Sequence, residues 1–145
     1  MGRLTVQFNQ ATDYAFRAML HMAGLVPGSV VSTLALAESE AIPQRFLMKI
    51  MRALHQAGLI RSYRGAEGGF ALARPAGEIS LLDIVEAMEG PVAIHRCLGD
   101  REACNKHCSY ECPVHATLGR LQNQLVTGLK QATLLSLLAE KRQAH

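Results

Sequence analysis

Leu59-Ile60-Arg61-Ser62-Tyr63-Arg64-Gly65-Ala66-Glu67-Gly68-Gly69-Phe70-Ala71-Leu72 reads as two short strands around a glycine-rich turn. The flanks, Leu59–Tyr63 and Phe70–Leu72, carry the apolar and aromatic residues that strands favour. Gly65, Gly68 and Gly69 let the backbone between them turn tightly and approach a partner closely. Working back along the chain, Gly58 closes a helix that Pro43 opens. Within it Leu47, Ile50, Met51 and Leu54 recur at i, i+3, i+4 and i+7, a buried stripe. That leaves Gln44, Arg45, Met48, Lys49 and Arg52 on the outer side. Before it, Ser32 is placed to cap a short helix over 33–40. Thr12-Asp13 is placed to cap a first helix with the stripe Phe16, Met19, Leu20 and Ala23, ended by Pro27-Gly28. Helix, helix, basic-faced helix, then hairpin is the order of a winged helix-turn-helix.

The charge pattern agrees. The net charge over 145 residues is only +3, but from Ala41 to Ala66 there is no acid, while Arg45, Lys49, Arg52, Arg61 and Arg64 all fall in that window. Cations clustered this way mark a phosphate-binding face. An α-helix fits the major groove, where base edges are distinguishable. Gln44 and Arg45, in the first turn of the third helix, are placed to reach base edges. Lys49 and Arg52 suit phosphate contacts, which position without specifying. Arg64, beside Gly65 at the wing tip, suits a narrow minor groove, whose negative potential attracts arginine. Arg61 reads equally well as a solvated strand residue.

Beyond the hairpin, Ser80-x-x-Asp83 is a capping-box signature for a helix burying Leu81, Ile84, Val85 and Met88, closed by Gly90-Pro91. Pro113 opens a long helix in which Leu118, Leu121, Leu125, Ala132 and Leu135 hold heptad spacing, with Thr133 as a break into a short terminal helix. Gly119 and Gly128 inside it each cost about 1 kcal/mol of helix stability, so packing must sustain it. The expected organisation is a mainly α DNA-binding domain over 1–90, a cysteine-rich loop over 91–112, and a dimerisation helix with its tail over 113–145. Leucines on one face of a helix beyond the core call for a partner helix, and a homodimer supplies it.

All four cysteines lie in that loop, as Cys97-x6-Cys104-x3-Cys108-x3-Cys112, with His115 following after two intervening residues. Thiols this dense form a metal site, a disulfide framework or a redox switch. The sequence has no apolar run near the roughly 18 residues of a membrane span, and its start lacks the pattern of a secretory signal. Met1-Gly2 opens like a myristoylation signal, but Val6 stands where Ser or Thr is required. The expected compartment is the cytoplasm, where thiols stay reduced and structural disulfides are disfavoured. Iron–sulfur, zinc and bare-thiol chemistry remain, and the missing Cys-x-x-Cys pairs count against a zinc ribbon. An enzyme or electron carrier would use the cysteines but leave the basic helix and the glycine-rich turn without a role.

The run Ala57–Pro75 closely resembles the wing of the redox-responsive winged-helix repressors, the family of the iron–sulfur assembly regulator IscR, the nitric-oxide sensor NsrR and the iron regulator RirA. Thr12–Ala18 and Ile79–Gly90 are similar to the same family, so the resemblance spans nearly the whole chain. It implies a cytoplasmic homodimer on palindromic operator DNA, joined through the helix after the cysteines, with no small-molecule substrate. It further implies an iron–sulfur cluster, 2Fe–2S or 4Fe–4S, on three loop cysteines plus one other ligand. Cys97, Cys104 and Cys112 match the three. His115 matches the assembly regulator's fourth ligand in Cys112-Pro113-Val114-His115, and Asp13 matches the carboxylate that the nitric-oxide sensor supplies across its dimer. The spacings are longer than the even x5 of those relatives and Cys108 is an extra thiol, so His115, Cys108 and Asp13 all stand as candidates, His115 first. The implied function is transcriptional regulation, most simply repression, set by redox, iron–sulfur or nitric-oxide status. A cluster-free thiol-based regulator, or a zinc-stabilised one, is the alternative on the same fold.

Overall fold

The third helix organises the core. The computed structural model describes residues 7–99 and 112–144, apart from the side chains of Arg96 and Cys97. Helices α1 (Gln10–Ala23), α2 (Thr33–Glu40) and α3 (Gln44–Gln56) are followed by strands β1 (Ile60–Tyr63) and β2 (Gly69–Leu72). After them come a 3-10 turn (Ala76–Glu78), α4 (Leu81–Glu89), the short α5 (Arg96–Gly99), α6 (Pro113–Gln131) and α7 (Leu134–Gln143). Leu47, Ile50, Met51 and Leu54 are the buried residues of α3, as its periodicity predicts, and they pack with Ala15, Ala18 and Met19 of α1, Leu36 of α2 and Ile84 of α4 in one cluster. At its end Gly58 adopts φ 76°, with its N–H bonded to the His55 carbonyl and the Leu59 N–H to the Leu54 carbonyl. This pair of bonds is a Schellman stop, and it turns the chain directly into β1.

The first helix starts earlier than the sequence reading has it. Asn9, not Thr12-Asp13, is the cap, its side chain accepting from the Thr12 N–H at 2.9 Å. Thr12 is buried inside the helix, and its hydroxyl donates to Glu89 Oε2 at 2.6 Å, joining the start of α1 to the end of α4. The buried face runs through Ala15, Ala18, Met19 and Met22, while Phe16 and Ala23 are only partly buried. Two alanines let the neighbouring helices come close, and hydrophobicity alone ranks the larger side chains above them.

The capping box at Ser80 is present, with Asp83 N–H on Ser80 Oγ and Ser80 N–H on Asp83 Oδ2. The heptad expected through Leu135 is interrupted. The long helix ends at Gln131, and Thr133 opens α7 with a second capping box to Ser136. Ala132 and Leu135 therefore lie off α6. Instead, Leu81 N–H bonds the Ala132 carbonyl and Leu134 N–H the Ile79 carbonyl, stitching the start of α7 to the start of α4. Leu134 is 0% exposed in the core, and α7 packs against α1.

The break assigns adjacent leucines opposite roles. Leu134→Ala should lower stability by about 2–5 kcal/mol in urea denaturation, as a core cavity does. Leu135→Ala, at a residue 57% exposed, should stay within about 0.5 kcal/mol. Equal losses at the two sites would contradict the placement of α7.

Candidate nucleic-acid interface

Two elements present the cations, and one short backbone pairing fixes them together. On α3, Gln44, Arg45, Lys49 and Arg52 are all exposed on the side opposite the buried stripe. Among the described residues no acid pairs with these three cations or with Arg61 and Arg64, although Arg17 pairs with Asp13 and Arg74 with Asp83. Unpaired cations on one face leave the local field positive. Met48 and Phe46 are exposed on the same helix, and sequence reasoning gave neither a role.

The hairpin pairs Ile60 with Leu72 through Tyr63 with Gly69. Its tip carries Arg64 and Gly65, both exposed, and Gly65 has φ 102°, which glycine adopts without strain. The wing is held at Gly69-Phe70. Val31 and Phe70 exchange N–H···O bonds of 2.9 and 2.8 Å just before the Ser32 cap of α2. Gly69 has φ 152°, and a Cβ there would collide with the Val31 carbonyl. The Phe70 ring is itself buried in the core. The wing is thus docked to the residue that precedes the helix-turn-helix.

The cysteine loop falls largely outside the described residues: Cys104 and Cys108 lie there, and the Cys97 side chain is not described. Cys112 is a free, half-buried thiol at the N-cap of α6, and half-buried His115 follows in that helix's first turn. Helix α5, which contains Cys97, packs against α6, with Leu98 Cδ2 3.7 Å from the Cβ position of Gly119. At that distance a Cβ at position 119 would make only an ordinary van der Waals contact. Among the described residues no three His, Cys, Asp or Glu side chains converge on one point. Asp13 is exposed and bound to Arg17, Nη2 to Oδ2 at 2.7 Å. This hydrogen bond raises the guanidinium pKa above its ordinary value. Arg17 also lies 4.9 Å from the Tyr14 ring centroid and donates to the Glu40 carbonyl.

Helix α6 offers the other surface. Leu129 is its buried residue, Leu118 and Leu125 are half-buried, and Leu121 is 48% exposed. An apolar cleft of about 470 Å³, lined in part by Phe8, Val85, Pro91, Ile94 and Leu125, lies alongside. Gln122 Oε1 accepts the Ile94 N–H at 3.0 Å and holds the segment before α5 to this helix.

The sequence model of Rrf2, described as an iron-dependent transcriptional regulator, matches residues 8–140. The chain belongs to the Rrf2 family. Two Mycobacterium tuberculosis proteins named as HTH-type transcriptional regulators are 42% identical over 94 residues. That match covers 65% of this chain and 58% of their length, so the chain spans well under two thirds of these curated relatives. Among solved structures, CymR, the global cysteine regulator of B. subtilis, superposes with a TM-score of 0.77 at 24% identity, covering 93% of this chain and 98% of that one. IscR of T. potens gives 0.76 at 23%, covering 97% and 91%. Staphylococcus aureus CymR gives 0.65 at 29%, covering 87% and 93%. The fold is the mainly helical winged helix-turn-helix of these regulators. The Rrf2 relatives are regulators of transcription, not enzymes. No helix among the described residues is long and apolar enough to cross a membrane.

The docked wing yields a test at its glycines. Gly69→Ala should destabilise the protein measurably in thermal unfolding and separate the hairpin from Val31. Gly65→Ala, with no atom within 4 Å of its Cβ position, should cost only its backbone strain, of order 1–3 kcal/mol at most. Wild-type thermal stability in Gly69→Ala would contradict the close approach.

Proposed function

We propose that this chain is a homodimeric operator-binding regulator of transcription, most simply a repressor, whose DNA affinity is set by an iron–sulfur cluster in its cysteine loop. The observation that carries the reading is the cationic, acid-free outer face of α3 joined rigidly to a wing with Arg64 at its tip. Gln44 and Arg45 read base edges, Lys49 and Arg52 grip phosphates, and Arg64 with Gly65 enters the minor groove. The exposed Leu121, flanked by half-buried Leu118 and Leu125 and by the apolar cleft, favours α6 as the dimer seam. A two-fold dimer then presents its two α3 helices to half-sites one turn apart, about 34–36 Å.

The donor chemistry fits a cluster. Four thiols and two histidines, His107 and His115, within the nineteen residues from Cys97 to His115 make a soft ligand set. Cys112 sits at the N-cap of α6, and its thiol is free. Cys97, Cys104 and Cys112 would hold the cluster, with His115 as fourth ligand ahead of Cys108 and Asp13. Asp13 would have to give up Arg17 to serve. When bound, such a cluster supplies electron transfer and sensitivity to oxidants, iron supply or nitric oxide. The chain's own part is mechanical. Cys97 lies on α5 and Cys112 at the head of α6, so ligands drawn together tie the loop to the dimer seam. Releasing them changes how firmly the two DNA-binding domains are held relative to each other, and couplings of this kind are typically about 1–3 kcal/mol. The description of the family as iron-dependent supports this reading. A cluster-free thiol regulator, or a zinc-stabilised one, is the second reading, favoured by the likeness to the cysteine regulator CymR, whose S. aureus form is also solved oxidised.

Two outcomes follow for DNA. Arg64→Ala should weaken operator binding by about 1–3 kcal/mol, and Lys49→Ala should reduce the salt dependence by about one unit. An unchanged affinity of Arg64→Ala across a salt series would remove the wing from the interface.

Anaerobic purification with native mass spectrometry decides between the two readings. Wild-type protein should carry iron and sulfide as a dimer, and Cys97→Ala, Cys104→Ala and Cys112→Ala should each lose both. A colourless wild-type dimer with zinc or bare thiols would establish the second reading.

A further inference from the structure

The recognition helix carries an apolar side chain among its cations. Met48 follows Gln44 by four residues and precedes Arg52 by four, so these three stand in one row along α3, with Arg45 and Lys49 in the adjoining one. Its neighbours in sequence show the contrast: Leu47 is fully buried, while Met48 keeps 43% of its surface in water. A single exposed apolar residue is ordinary on a protein surface. This one lies on the face that meets DNA in the reading above, where Gln44, Arg45, Lys49 and Arg52 surround it with an amide and three cations.

The major groove presents almost only hydrogen-bond donors and acceptors along its base edges. Its apolar group is the C5 methyl of thymine. A thioether side chain can neither donate to a base edge nor pair with a phosphate, so facing a cytosine amine or a guanine carbonyl it would desolvate them without return. Facing a thymine methyl it buries apolar surface on both sides. Methionine, unbranched and polarisable, adapts its end to such a contact. The neighbouring row of Arg45 and Lys49 fixes the depth at which Met48 meets the groove floor.

We infer that Met48 is a specificity-determining residue that selects a thymine in each half-site by contact with its C5 methyl. This rests on the operator-binding reading of α3. Gln44 and Arg45 then specify polar base edges, and Met48 adds a position that hydrogen bonding does not read. Removing one thymine methyl should weaken binding by about fourfold, the burial of one methyl group. The symmetric removal in both half-sites should give roughly the product, near sixteenfold, since the two contacts are independent.

The test uses an operator selected by the full-length protein from a random duplex library, then remade with single thymines replaced by deoxyuridine. That exchange deletes the methyl and leaves every hydrogen-bonding group in place. One thymine per half-site should show the loss in wild-type protein. Met48→Ala, which removes nothing from the core, should keep its melting temperature and bind the thymine and uracil duplexes equally. Lys49→Ala should weaken both and preserve their ratio. Equal wild-type affinity for thymine and uracil at every operator position would overturn the inference while leaving operator binding intact. A thymine preference that survives in Met48→Ala, or that vanishes equally in Lys49→Ala, would also overturn it. Failure to enrich any duplex would overturn operator binding and the inference together.

Discussion

The exchange of hydrogen bonds between Val31 and Phe70 holds the hairpin and the α2–α3 pair in one frame. A two-stranded hairpin is marginal alone in water, and this one gains a third backbone partner from the residue that leads into α2. The pairing demands close approach, and Gly69 permits it because a side chain there would strike the Val31 carbonyl. Phe70 adds a buried ring to the same joint. The Schellman stop at Gly58 fixes the other end, so α3 and the wing are separated by a turn with little freedom. A protein that sets one cationic element in a major groove and another in the adjoining minor groove needs that rigidity before it needs any particular base contact.

The second constraint is the stitch between the start of α7 and the start of α4. Because Leu134 is buried and its N–H is taken by Ile79, the end of the chain folds back into the winged-helix core. Helix α6 is left as a nineteen-residue arm leaning on α4 and α5, with Leu129 buried and Leu121 reaching outward. Such an arm suits both roles proposed for it. Its head follows Cys112, in the loop that would hold a cluster, and its length carries the surface on which a second copy would fit. In the proposed dimer, strain introduced at the head would be delivered to the seam between the two DNA-binding domains.

Much of this was legible in residue spacing, and the exceptions have physical causes. The buried stripe of α3 follows from periodicity because its inward side chains are large and its outward ones charged. The wing follows from its glycines, of which Gly69 leaves no room for a side chain. The start of α1 was misread because Asn9 and Thr12 can both cap a helix, and only the packing of Thr12 against Glu89 decides between them. The face of α1 was misread because alanines, chosen for closeness, carry a weak hydrophobic signal. Thr133 was recognised as a break, but the heptad was run across it, since spacing alone does not register a change in helix axis. Met48 was placed on the correct face without a role, because an apolar residue there has meaning only once that face is assigned to DNA. The cysteine set was legible as a donor list, and Cys104 and Cys108 lie outside the described residues, so its ligand assignment stands as chemistry.

The central claim, that a two-fold dimer places α3 in the major groove and the wing beside it in the minor groove, is met most directly by hydroxyl-radical footprinting on a selected operator. The account predicts two protected stretches related by two-fold symmetry, centred one helical turn apart, each with a flanking minor-groove protection. A single asymmetric protected stretch, or protection confined to the major-groove faces, would contradict it.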